Sequence, residues 1–76
     1  MRRNVIQIIV YPGNERGYVA ECVNLPVVTQ GATIDETVKN MQEALALHME
    51  GESLEEMGLA PNAPLMVSME LEPIHA

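Results

Sequence analysis

Residues 33–51 read Thr-Ile-Asp-Glu-Thr-Val-Lys-Asn-Met-Gln-Glu-Ala-Leu-Ala-Leu-His-Met-Glu-Gly, and the architecture follows from this stretch. Thr33-Ile34-Asp35-Glu36 fits a capping box, in which the Thr33 hydroxyl accepts from the Glu36 amide and the Glu36 carboxylate reaches back to the Thr33 amide. From there Ile34, Val38, Met41, Leu45 and His48/Met49 recur at helical spacing and predict a buried stripe. Gly51 is a natural C-terminal stop, so the helix is expected to run to about Glu50. The opposite face is polar at Glu36, Asn40, Glu43 and Glu50, with Leu47 among them as a candidate interface residue.

On both sides of the helix the chain reads as strand. Asn4 to Tyr11 is rich in β-branched residues, and Val5, Ile6, Ile8, Ile9 and Val10 place apolar groups on both faces, as in a central strand. Pro12-Gly13-Asn14-Glu15-Arg16-Gly17 is turn chemistry, which makes a hairpin with a second strand over Tyr18 to Asn24. Pro26 bends the chain into a short third strand, Val27 to Gln30, ended by Gly31. Beyond the helix, Ser53 to Met57 reads as one further helical turn, and Pro61-Asn62-Ala63-Pro64 resets the chain. The last strand, Leu65 to Leu71, alternates, with Leu65, Val67, Met69 and Leu71 on one face and Met66, Ser68 and Glu70 on the other.

The order ββ-β-α-β ends in a strand–helix–strand unit whose crossover should be right-handed. If its two strands are parallel, the last strand lies beside the first. The expected fold class is therefore α+β, a four-stranded mixed sheet in the order 3-2-1-4 with one main helix packed on one face. One helix leaves the other face open, with Val5, Ile9 and Tyr11 on it. An open apolar face on a small protein usually marks an association surface, so those three residues are the candidates for self-association into a dimer or tetramer.

Size points the same way. A chain of 76 residues has room for a single domain, residues 1–76, and buries only roughly 60% of the surface its unfolded form exposes. Domains this small usually add a disulfide, a metal or a second subunit. Cys22 is the single cysteine, which excludes an intramolecular disulfide. Arg2 and Arg3 precede an apolar stretch of only Val5 to Val10, too short for a signal-peptide core or a membrane span, and with a lone thiol the expected compartment is cytoplasmic.

The net charge of −7 is unevenly placed. Up to Lys39, Arg2, Arg3, Arg16 and Lys39 cancel Glu15, Glu21, Asp35 and Glu36. From Asn40 onward there is no Lys or Arg, while Glu43, Glu50, Glu52, Glu55, Glu56, Glu70 and Glu72 fall there. Affinity for phosphate backbones comes mostly from cationic surface, and stacking on single-stranded bases needs aromatics, of which only Tyr11 and Tyr18 are present. Direct nucleic-acid binding is not expected. Glu50, Glu52, Glu55 and Glu56 oppose the helix dipole near its C-terminus. That is what a docking site for a basic protein looks like; plain solubility explains the charge equally well.

Catalysis finds little support. Nucleophilic chemistry needs a nucleophile, a base and an orienting group within hydrogen-bond reach. Cys22 lies mid-strand, where it serves as a small core hydrophobe; His48 borders the apolar stripe, and His75 falls in the tail. Metal-ligand spacings are missing, and Asp35 as the lone aspartate is too little for two-metal nuclease chemistry. The chain is expected to be neither an enzyme nor a holder of metal or cofactor.

Gly17-Tyr18-Val19-Ala20-Glu21-Cys22, Leu25-Pro26, Thr29-Gln30-Gly31, Thr33-Ile34-Asp35-Glu36 and Glu43-Ala44-Leu45 together resemble the N-terminal domain of HicB-type antitoxins, over most of the chain. The resemblance implies a partial ribonuclease H-like fold without the nuclease's carboxylates. It also implies a partner: family members of type II toxin-antitoxin systems bind and neutralise a HicA-type toxin, a small basic ribonuclease that cleaves messenger RNA. Two departures stand out. Leu25-Pro26 runs straight into Val27-Val28 where many members read Leu-Pro-Gly-Cys, and the C-terminal DNA-binding domain common in full-length members is not expected here. The functional expectation is a HicB-like antitoxin acting by protein–protein contact, with Glu50, Glu52, Glu55 and Glu56 as toxin-binding residues. The alternative is an orphan regulatory or scaffold domain that binds another protein or a small ligand.

Overall fold

A computed structural model of the chain describes residues 5–50, 56, 58, 63–71 and 74. Its elements are β1 (Ile6–Pro12), β2 (Tyr18–Cys22), β3 (Val28–Gly31), α1 (Ile34–His48) and β4 (Leu65–Met69). They form a four-stranded mixed sheet in the order β3-β2-β1-β4 with the helix packed on it. β1 pairs antiparallel with β2 and parallel with β4, and β2 pairs antiparallel with β3. The α+β architecture and strand order expected from the sequence are the ones observed.

Local chemistry explains the junctions. In the β1–β2 turn Gly13 N–H donates to the Gly17 carbonyl at 3.0 Å, and Gly17 takes φ +84°, a left-handed conformation that glycine adopts without steric cost. Before β3 the Val27 N–H donates to the Leu25 carbonyl at 2.8 Å. This three-residue turn has Pro26 at its centre, where the ring's fixed φ suits it.

The register sorts side chains onto two faces, because residues two apart in a strand share a face. Ile8 stands opposite Cys22 and Val67, and Val10 opposite Ala20 and Met69; these belong to the helix-facing side. The core is Ile6, Ile8, Val10, Ala20, Leu25, Val27, Met41 and Leu45.

The helix is capped nearly as expected. Thr33 Oγ1 accepts from the Glu36 N–H at 3.1 Å, but the Glu36 carboxylate accepts from the Ala32 N–H at 3.2 Å rather than from Thr33. The buried stripe also needs correction. Met41 and Leu45 are buried and Val38 is half-buried, but His48 is exposed, and Thr37, which a hydropathy pattern passes over, is fully buried. Its hydroxyl donates to the Thr33 carbonyl at 2.7 Å, so the burial leaves no polar atom unpaired. The helix ends at His48 with Met49 as its cap, two residues short of the expected Glu50. Gly51 lies outside the described residues, as does most of the turn expected over Ser53–Met57.

The main departure from expectation is lateral. The helix packs chiefly on β3, less on β2, little on β1, and does not reach β4. The small residues Gly31 and Ala20 lie beneath it on β3 and β2, whereas Ile8 and Val10 raise the floor over β1. Strands spaced about 4.8 Å apart make this sheet about 14 Å wide between its outer strands, and a helix about 10 Å across covers only part of that. Leu65, at the start of β4, packs against the core. Val67 and Met69, on the helix side of β4, stay 39% and 42% exposed.

Candidate binding surfaces

Three surfaces have enough character to bind something: the acidic end of the helix, the face of the sheet away from the helix, and a cleft beside the β1–β2 turn.

Glu43 on the helix and Glu50 just beyond its end are exposed, with Leu47 between them at 70% exposure. Glu56 is exposed as well. Glu52 and Glu55, the other two residues of the expected acidic docking site, lie outside the described residues. Among the described residues the basic side chains are Arg16, in the β1–β2 turn, and Lys39, in the middle of the helix. Among the described residues no Lys or Arg follows Lys39, so the exposed end of the helix around Glu43 carries an excess of negative charge, felt over a Debye length of about 8 Å at physiological salt.

The open sheet face carries Val5, Ile9 and Tyr11, as expected, and all three are half-buried. Their neighbours across the strands, by register, are Val19, Glu21, Val28, Gln30, Met66 and Ser68. The face is thus more polar than β1 read alone suggests. Gln7 Nε2 donates to Ser68 Oγ at 2.9 Å, tying β1 to β4 on this side. At one end the Tyr11 hydroxyl donates to Glu21 Oε1 at 3.0 Å. That bond, partial burial and the negative charges of Glu21 and Glu70 hold the Tyr11 phenol above its ordinary value of 10.0. The apolar patch therefore ends in an acidic corner. Sequence reasoning missed this corner because it depends on pairing register, which sets Glu21 diagonal to Tyr11; the usable signal was the alternation of β2, which puts Val19 and Glu21 on one face.

The cleft is an open space of about 590 Å³ between the β1–β2 turn, β3 and the start of the helix, lined in part by Asn14, Arg16, Tyr18, Gln30 and Glu36. Its charges are of both signs, and Glu36 is already engaged with Ala32. That composition does not single out a ligand class.

For chemistry, Cys22 is half-buried on the helix-facing side of β2, and no hydrogen bond joins it to a histidine among the described residues. His75 lies outside them. Nor does any group of three or more His, Cys, Asp and Glu side chains converge among the described residues. No helix is long and apolar enough to cross a membrane. Comparison of the chain with models of protein families, with curated proteins and with solved structures finds no match.

Proposed function

We propose that this chain is a HicB-like antitoxin: a non-catalytic binding module with a partial ribonuclease H-like fold that neutralises a small basic HicA-type ribonuclease by covering it, and that also associates with itself. The observation that carries the reading is the segregation of charge. Glu43 and Glu50 are exposed at and just beyond the C-terminal end of α1 and Glu56 is exposed as well, and Glu21 and Glu70 flank Tyr11 on the open sheet face. A basic partner is attracted to such a surface, steered to it, and bound more weakly as salt rises. The strand order and the pairing of four strands with one helix support the same reading. In it, Val5, Ile9 and Tyr11 contribute apolar contact on the open face, and Glu50, Glu52, Glu55 and Glu56 supply the electrostatic contact.

The test is to mix the purified chain with a HicA-type toxin encoded beside it. Co-elution at low salt, loss of messenger RNA cleavage, and at least tenfold weaker binding after Glu50→Lys combined with Glu56→Lys are expected. Separate elution at low salt with undiminished cleavage rejects the proposal and leaves the orphan regulatory or scaffold domain as the better description.

A further inference from the structure

The two edges of the sheet are treated differently. β3 spans only Val28–Gly31 and lies beneath most of the helix. Its outward-facing Gln30 carbonyl accepts from Asn40 Nδ2 at 2.8 Å, so that edge is partly occupied. Among the described residues β4 has no such cover. The Ile6 N–H donates to the Pro64 carbonyl and the Glu70 N–H to the Val10 carbonyl, both at 2.8 Å. Even-numbered residues of β4 therefore turn their backbone groups toward β1. By the alternation of a parallel ladder, Leu65, Val67 and Met69 turn their N–H and C=O groups away from the sheet. Edge strands normally carry a charge, a proline or a bulge to prevent pairing with another chain. β4 reads Leu-Met-Val-Ser-Met and has none of these.

We propose that β4 is where a second copy of this chain docks, edge to edge and antiparallel about a two-fold axis at Val67, extending the sheet to eight strands. Three features select a second copy over another occupant. First, the strand is self-complementary: with Val67 opposite its own counterpart, Leu65 meets Met69 and Met66 meets Ser68. The outward-facing residues then form the hydrogen-bonded pairs, each exchanging N–H···O=C bonds in both directions. Second, charge fits. In a chain of net charge −7, copies repel wherever their acids meet, but β4 is uncharged. In this register Glu70 lies opposite Pro64, and the two Glu70 side chains fall roughly 20 Å apart along the strands, more than a Debye length. A basic partner, by contrast, gains nothing from an uncharged strand. Third, the helices stop short of β4, so Val67 and Met69 of both copies would line one apolar trough between them. Met66, 52% exposed on the other face, would meet its counterpart's Ser68. This inference does not depend on the identity of any toxin.

The experiment is sedimentation and light scattering of the full chain across the micromolar range, with Val67→Pro, Val67→Lys and an open-face control, Val28→Lys, at a residue 63% exposed. Proline at 67 removes only an N–H that faces outward, so the β1–β4 ladder is retained. Wild type and the control are expected at twice the 8.4 kDa monomer mass. Both Val67 variants are expected as folded monomers, at least tenfold weaker in self-association, with unchanged far-ultraviolet circular dichroism. Should Val67→Pro unfold the chain, Val67→Lys, whose side chain points to solvent, reads the same interface. Added salt should leave the dimer unchanged or tighten it, the opposite of its effect on a basic partner, so failure here is distinguishable from failure of the proposed function. A monomeric wild type, a dimer that persists in folded Val67 variants, or a dimer dissolved only by the open-face control overturns the proposal.

Discussion

A β-carbon placed on Gly31 would lie 2.8 Å from both the backbone nitrogen and the Oγ1 of Thr37, so the last residue of β3 and the first turn of α1 meet almost backbone to backbone. This contact sets the helix over the β3 side of the sheet. Gly31→Ala is expected to destabilise the fold by about 1–3 kcal/mol, the usual range for overpacking, measured by urea denaturation. Combining it with Thr37→Ala should not restore stability, because the Thr37 nitrogen and Cα remain within 3.0 Å of the added carbon. Full rescue by the second substitution would show that the side chain alone makes the contact.

Met41 is fully buried and Leu47 is 70% exposed, although both are apolar residues of one helix. Met41→Ala should cost about 2–5 kcal/mol, as for other large-to-small core changes. Leu47→Ala should stay within about 0.5 kcal/mol of wild type. Thermal unfolding monitored at constant protein concentration separates the two, and comparable losses would contradict the packing described.

Thr33 is the N-cap of the helix, and its hydroxyl accepts from the Glu36 N–H. Thr33→Ala is expected to lower stability by about 1 kcal/mol, and Thr33→Ser by much less, since serine keeps the acceptor. Equal losses in the two variants would mean that the Thr33 methyl, not the hydroxyl, carries the effect.

Tyr11 is held above its ordinary ionisation range by its hydrogen bond to Glu21, by partial burial and by the nearby charges of Glu21 and Glu70. The folded state thus keeps this proton more tightly than the unfolded chain does. The associated stability is present below the unfolded value of about 10 and is lost as pH rises through the higher folded value. In a Tyr18→Phe background, ultraviolet titration should show the Tyr11 midpoint falling toward about 10 when Glu21→Gln is introduced. An unchanged midpoint would mean that Glu21 does not govern the phenol.

Much of this arrangement was legible in the residues alone, for a physical reason. Backbone geometry imposes periods of about 3.6 and 2, so apolar spacing exposes helix and strand directly. The doubly apolar run in β1 identified a central strand, and a right-handed crossover then put β4 beside it. The Thr33 cap was readable too, because capping is settled within four residues. The burial of Thr37 was not readable, since its hydroxyl is satisfied by a carbonyl that only the formed helix presents. His48, at the rim of the apolar stripe, was placed inside because its exposure depends on how far the helix reaches across the sheet.

Periodic spacing thus established which segments become strands and helix, the order in which they lie, and the crowding of acid toward the C-terminal half, because each of these rests on neighbours along the chain or on simple counting. Where the helix comes to rest was set in three dimensions, by Gly31 and Ala20 beneath it and by the bulk of Ile8 and Val10 beside them. Those volumes meet only after residues far apart in sequence have packed, and their fit leaves Val67 and Met69 in the open, while the pairing register of β1 with β2 brings Glu21 diagonally to Tyr11.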